Sequence, residues 1–444
     1  MTTASAPLAR RLRLGDAVLV GLGSMIGAGI FGVWSPVART GVDAPLLLVA
    51  LMLAGAVALA NGLSSAQLAA QYPTSGGAYV PARERLGAWP AFLAGWSFVV
   101  GKTASCAAMA GIAAAYAVPE GPWRRPLAAL IVIAVVAVNL GGVTRTALAA
   151  RILVVPVLLV LVAVVVVAVA NGPGAASGGL VTTDGAGQAV VYVGGILDPA
   201  TAGEPGPFPL LSAAGLLFFA FAGYARITTL GEEVVDPRRT IPRAVVIALA
   251  VVIALYAAVA VALPLALTPF GMLTRDQPLA AAVAPLGAAA PVVVSIAALL
   301  ACLGALLSLL AGVSRTALAM ARTGDLPHPL ARVDARRSVP WASELAVGAV
   351  VVVLVLTVDL GAVIGVSSFA VLLYYLVANL AALTQSAGDR LVPRAVSALG
   401  AIGCLMLALT LPSVSVIGGL VVLAVGAGGR LLAGAVARAR RPRA

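Results

Sequence analysis

Long uncharged runs are the feature that most constrains how this chain can fold. The first run, from Ala17 to Ala38, has 22 positions without a charged residue, which is long enough to cross a lipid bilayer as a helix. Similar runs recur along the sequence, and the 444 residues are 61% hydrophobic and 10% charged. This composition is typical of an all-α integral membrane protein and excludes a soluble globular domain.

Glycines interrupt the first apolar run. Gly27-Ala28-Gly29 predicts that the helix opens there, because glycine is a poor helix former. Inside a membrane, open backbone is tolerated only where protein or a water-filled cavity satisfies it, and many secondary transporters build their substrate site at such a break. The G-x-x-x-G spacing of Gly23 and Gly27 is also typical of two helices in close contact. The glycines alone leave both interpretations open.

The apolar runs predict twelve spans, of which the last two divide near Pro412. A charged or glycine- and proline-rich segment separates most neighbouring runs. We assign an N-terminal tail (1–14), spans 1–5 (15–170), an extracellular loop (171–208), spans 6–10 (209–384), spans 11 and 12 (395–429) and a basic C-terminal tail (430–444).

The arginine positions predict the orientation of these spans. With the N-terminus inside, the inside segments hold 22 arginines and the outside segments hold four, Arg39, Arg124, Arg125 and Arg275. Because basic residues accumulate on the cytoplasmic side, both termini are expected to be cytoplasmic, in a bacterial plasma membrane. The net charge of +12 therefore needs no nucleic-acid partner.

A second glycine break lies five spans after the first. Span 6 contains Phe221-Ala222-Gly223-Tyr224, which again interrupts an apolar run. A repeat of five spans places the two halves in opposite orientation, and paired breaks in inverted halves are typical of a transporter core. The sequence thus predicts a 5+5 inverted repeat with spans 11 and 12 outside it.

Four segments together resemble bacterial permeases of the amino acid–polyamine–organocation (APC) superfamily. They occur in order between residue 15 and about residue 330, and they are specific for the family but not for a substrate. These segments are Ile26–Gly32, Pro73–Tyr79, Phe221–Pro242 (with Glu232-Glu233 and Asp236-Pro237-Arg238-Arg239) and Ser314–Pro327.

The resemblance implies a substrate site at the two breaks. The substrate carboxylate would bind backbone N–H groups at Gly27, Ala28 and Gly29, where a half-helix N-terminus carries a partial positive charge. The substrate ammonium would meet three backbone carbonyls, those of Met25, Phe219 and Ala222.

The side-chain pocket is expected on span 3, at Cys106 and Met109. Both residues are small or apolar, which favours a neutral and bulky apolar substrate side chain, although ordinary helix packing explains them equally well. Many relatives carry an acid where this chain has Ala225, and some carry a lysine near Pro156. Because this sequence has neither residue, their roles in proton coupling or charge balance cannot be assigned to it. No sodium site is readable and no cofactor is expected; proton coupling stays open.

Four ionisable residues are candidates for coupling or gating: Lys102, Arg226, Glu232 and Glu233. Lys102, the only lysine, lies in the middle of span 3, where an ionisable residue is costly and a functional candidate by default. Unlike arginine, a buried lysine can release its proton. It is therefore either a mobile charge for proton coupling or a structural cation, held in an ion pair or by carbonyls of unwound span 1. Arg226 is expected to pair with Glu232, Glu233 or another acid near the inner gate.

The sequence predicts a secondary active transporter that moves an amino acid by alternating access. Export, exchange, and transport of a polyamine or another organic amine are alternatives. A polytopic membrane enzyme is a remote alternative, because intramembrane chemistry requires ionisable groups and the chain has no aspartate cluster and a single histidine, His328, in a loop. We expect an amino acid substrate, the bilayer as environment, no metal and no enzymatic activity; the oligomeric state is unknown.

Overall fold

The computed structural model describes residues 12–72, 77–118, 120–142, 146–171, 181–183, 189–191, 208–229, 234–267, 272, 275–334, 337 and 339–439. These residues are mostly α-helical. Two short strands, β1 (Val181–Thr183) and β2 (Ala189–Val191), pair in antiparallel register within the long loop after span 5. They are the departure from the all-α prediction.

Helices account for each predicted span. The first half contains α1 (Leu14–Met25), α2 (Ala28–Gly32), α3 (Trp34–Ala38), α4 (Ala44–Gln71), α5 (Tyr79–Leu86), α6 (Ala88–Ala117), α7 (Arg124–Leu140) and α8 (Thr146–Asn171). The second half contains α9 (Pro209–Phe221), a 3₁₀ turn (Ala222–Tyr224), α10 (Ala225–Thr228), α11 (Pro237–Ala266), α12 (Pro278–Ala282), α13 (Ala289–Arg322), α14 (Trp341–Thr357), α15 (Leu360–Leu383), α16 (Arg394–Leu409) and α17 (Ser413–Ala439).

Within the described residues, nine helical segments are long and apolar enough to cross a membrane. Two shorter apolar helices, α14 and α16, add to them, and α7 has 17 residues with two arginines in its first turn. The chain is therefore a multi-pass membrane protein. The twelve crossings, the inverted repeat and the membrane orientation stay predictions.

Helix α6 lies at the centre of the bundle. Its best apolar window is 89% buried, whereas that of α17 is only 17% buried, so α6 contacts protein on nearly every side and α17 faces outward. Helices α13 and α15 pack directly against α6. This packing places the middle of predicted span 3 next to both glycine breaks.

The two breaks differ in kind. In span 1, the helix stops at Met25 and restarts at Ala28, and Gly27 has a φ of −92° and a ψ of −137°, which is neither helical nor extended. In span 6, the backbone does not open but tightens into the 3₁₀ turn between α9 and α10. Such turns are frequent connectors between helices, and their backbone N–H groups bond to the carbonyl three residues earlier and not to the one four residues earlier. Carbonyls at the turn are thereby left to accept hydrogen bonds from other donors.

Candidate functional site

Glycines bring the two breaks into backbone contact. A Cβ atom added to Gly29 would lie 2.5 Å from the Cα atom of Ala220, and one added to Gly223 would lie 2.3 Å from the carbonyl oxygen of Ser24. Real Cβ atoms do not approach other atoms so closely. Gly29 therefore lies at the break in span 1 and also packs closely against another helix, which is that of span 6.

A tyrosine that the sequence analysis missed ties the breaks together. Tyr256 of α11 is fully buried, and its hydroxyl donates to the carbonyl of Met25 at 2.6 Å, with the carbonyl of Ala220 at 3.3 Å. One hydroxyl thus contacts the last residue of α1 and a residue of α9. The available signal was its position as the single polar side chain in the apolar run from Ala244 to Leu267.

A cavity of about 360 Å³ lies at the junction of the breaks, within the range of about 300–1,000 Å³ that is usual for small-molecule sites. Span 1 contributes Met25, Ala28 and Gly29, and α6 contributes Lys102, Ser105 and Met109. Span 6 contributes Phe219, Ala222, Gly223 and Arg226, and α13 contributes Ser308 and Arg315.

Most of the candidate residues from the sequence line this cavity. Met25, Ala28, Gly29, Met109, Phe219 and Ala222 do so, as do Lys102 and Arg226. Gly27 and Cys106 are not among the lining residues, and Cys106 is completely buried. The expectation of a neutral substrate side chain rested on Cys106 and Met109, and only Met109 lines the cavity. Glu232 and Glu233 lie outside the described residues.

The three carbonyls expected to receive the substrate ammonium each already accept one hydrogen bond. The Met25 carbonyl accepts from Tyr256, and the Phe219 carbonyl accepts from the N–H group of Ala222. The Ala222 carbonyl accepts from Lys102 Nζ at 2.8 Å. Since a carbonyl oxygen has two lone pairs, each can accept once more.

Lys102 connects α6 to the break in span 6. Its side chain is only 4% exposed, and its bond to Ala222 joins residues 120 positions apart. As a structural cation, Lys102 was expected to donate to carbonyls of unwound span 1. Its ammonium donates to a carbonyl of span 6 instead. A hydrogen bond from an ionised donor is stronger than a neutral one, which partly offsets the cost of burying the charge.

Arg226 lines the cavity from α10. Its guanidinium lies 3.5 Å from the hydroxyl of Thr229, which is the outer limit of a hydrogen bond. Because Glu232 and Glu233 are outside the described residues, the expected ion pair stays a prediction.

A polar cluster at Asp325 joins three segments at the end of α13. The Asp325 carboxylate accepts from the Tyr79 hydroxyl at 2.6 Å and lies 3.5 Å from Arg83 and 3.1 Å from Arg430. Arg430 also lies over the rings of Trp89 and Phe92. Burial, and then the bond to Asp325, raise the pKa of Tyr79 above its ordinary value, so the phenol stays protonated as a donor. The structure pairs Arg83 with Asp325.

Sequence comparisons agree with this architecture. The family described as "Amino acid permease" matches residues 12–429. Uncharacterized transporters of Mycobacterium tuberculosis and Mycobacterium bovis are each 47% identical over 423 residues, covering 94% of this chain and 90% of theirs.

More distant relatives are longer proteins with named substrates. The vacuolar cationic amino acid transporter 4 of Arabidopsis thaliana is 28% identical over 366 residues, covering 79% of this chain and 59% of its own. Human cationic amino acid transporter 4 is 28% identical over 396 residues, covering 84% and 59%. These relatives are named as transporters, which points to transport rather than catalysis. The chain belongs to the amino acid permease family of the APC superfamily.

Proposed function

We propose that this protein is a secondary active transporter that moves an amino acid across the bacterial plasma membrane by alternating access. The observation that carries the proposal is the cavity between the two breaks, which lies against the buried helix α6. Its position agrees with the midplane sites of transporters built from broken helices. Family membership and the transporter names of relatives support the same conclusion.

In this proposal, backbone groups at the breaks hold the part common to all amino acids. The carboxylate binds near Ala28 and Gly29, and the ammonium binds the free lone pairs of the Met25 and Phe219 carbonyls. Met109 and the ring of Phe219 form an apolar wall beside the bound molecule. Tyr256 keeps the two breaks at a fixed separation, because it contacts carbonyls of both.

A panel of radiolabelled amino acids in proteoliposomes tests this function. We expect at least one amino acid to show saturable uptake that its unlabelled form inhibits, and counterflow separates exchange from net transport. A folded, reconstituted protein that binds and moves none of the twenty amino acids would refute the proposal. Uptake of putrescine alone would support the organic amine alternative.

We further propose that transport is coupled to protons through Lys102. The bond to Ala222 lets the charge state of Lys102 act on the break in span 6. Arginine keeps the charge but cannot release it, so Lys102→Arg should bind substrate and lose pH-driven accumulation. Full pH-driven accumulation by this variant would make Lys102 a structural cation.

A further inference from the structure

Lys102 has more hydrogen-bond donors than the described residues supply acceptors for. An ammonium has three N–H donors, and among the described residues only the Ala222 carbonyl accepts from it. The side chain is 4% exposed and lines the cavity. Burying an incompletely paired charge is expensive. A bound molecule with an anionic group would supply the acceptors that are missing among the described residues.

The charges around the cavity favour an anion as well. Its described lining residues include the cations Lys102, Arg226 and Arg315 and no carboxylate. Arg226 makes further interactions and is left out of the argument. Arg315 is solvent-exposed and has no ion-pair partner within the described part of the chain. Lys102 and Arg315 lie on different helices that line the same cavity, so both contribute positive charge to it.

We propose that the cavity selects an amino acid whose side chain carries a carboxylate, of the glutamate or aspartate class, and that this carboxylate accepts from the Lys102 ammonium. The inference rests on the proposed function and replaces the neutral side chain expected from Cys106 and Met109. A substrate ammonium at the carbonyl of Ala222 would place a second cation beside Lys102, and like charges repel. A carboxylate beside Lys102 reduces that repulsion, and a cationic side chain would increase it.

Glutamate and glutamine provide a matched pair of ligands, because they differ in charge and hardly in size. We would measure binding of each radiolabelled amino acid to the purified full chain at pH 7. A charge-assisted hydrogen bond in a buried site is expected to favour glutamate by about tenfold or more, and arginine should not compete. Lys102→Met should weaken glutamate binding by about tenfold more than it weakens glutamine binding.

Two further variants complete the design. Lys102→Arg keeps a cation and should keep the preference for glutamate. Arg322→Met removes a cation from the same helix as Arg315 but outside the cavity lining, so it should leave the ratio of glutamate to glutamine affinity unchanged.

The outcomes separate this inference from the proposed function. Wild-type protein that binds glutamine as tightly as glutamate would overturn the inference and leave amino acid transport intact. An equal loss of glutamate binding in Lys102→Met and Arg322→Met would also overturn it, because the effect would then come from general surface charge. Folded wild-type protein that binds no amino acid would overturn the proposed function itself. A cooperative melting transition of Lys102→Met in detergent serves as the check that the variant is folded.

Discussion

Gly223 is a position where the structure leaves no room for a side chain. A Cβ atom there would lie 2.3 Å from the carbonyl oxygen of Ser24, 2.4 Å from its carbonyl carbon and 2.6 Å from the nitrogen of Met25. All three atoms belong to the backbone where α1 ends. They cannot rotate away as the end of a side chain can. Gly223→Ala therefore acts on the contact between the two breaks.

The size of the effect follows from these distances. Ordinary van der Waals contact begins at 3.4 Å, so the 3₁₀ turn and the end of α1 must separate by about 1 Å to accept the methyl group. Overpacking of this kind costs about 1–3 kcal/mol. The shift also lengthens the bond from Tyr256 to Met25, which is 2.6 Å in the native protein. We expect Gly223→Ala to melt at a lower temperature in detergent and to lose about fivefold or more in uptake rate, since 1.4 kcal/mol is a factor of ten.

Gly21→Ala is the matched control. Its Cβ atom would lie 2.3 Å from Cδ1 and 2.8 Å from Cγ1 of Ile227, but both atoms belong to a side chain and not to the backbone. Replacing glycine by alanine inside α1 also adds about 1 kcal/mol of helix propensity. Gly21→Ala should therefore lose less in melting temperature and in uptake than Gly223→Ala. Wild-type uptake and stability in Gly223→Ala would refute the argument that backbone contact holds the breaks together.

Three further predictions concern two other contacts and the membrane topology. Tyr256→Phe removes the hydroxyl between the breaks, and we expect it to cost about 1–3 kcal/mol and to raise the apparent KM for uptake; an unchanged KM would make the contact incidental. Asp325→Asn removes the charge that Arg430 pairs with, so it should lower the melting temperature more than Asp43→Asn, because Asp43 is exposed; equal effects of the two would contradict this. Single cysteines at Gly185 and Ser338, both outside the described residues, should label from opposite sides of the membrane in a cysteine-free background; same-side labelling would rule out the twelve-span topology.

Much of the fold was predictable because membrane spans follow local rules. A helix in a bilayer needs an apolar run of sufficient length, and charged residues mark its ends. The sequence predicted Lys102 in the middle of span 3, and it lies in the middle of the helix that runs from Ala88 to Ala117. The division near Pro412 also agrees with the structure, where α16 ends at Leu409 and α17 begins at Ser413. The motifs identified the family for the same reason, since each is a short segment read in order.

The contacts that build the candidate site were decided only by tertiary structure. Lys102 meets Ala222 across 120 positions, and Tyr256 meets Met25 across 231; no local pattern links such pairs. Which face of a helix turns toward a cavity also depends on its neighbours, so Met109 lines the cavity and Cys106, three residues earlier, is buried outside it. Hydrophobicity determined which segments enter the membrane, because transfer into lipid depends on composition and length. Once the helices are in the membrane, their similar apolar composition does not determine which of them pack together. For spans 1 and 6, the close backbone approach at Gly29 and Gly223 does.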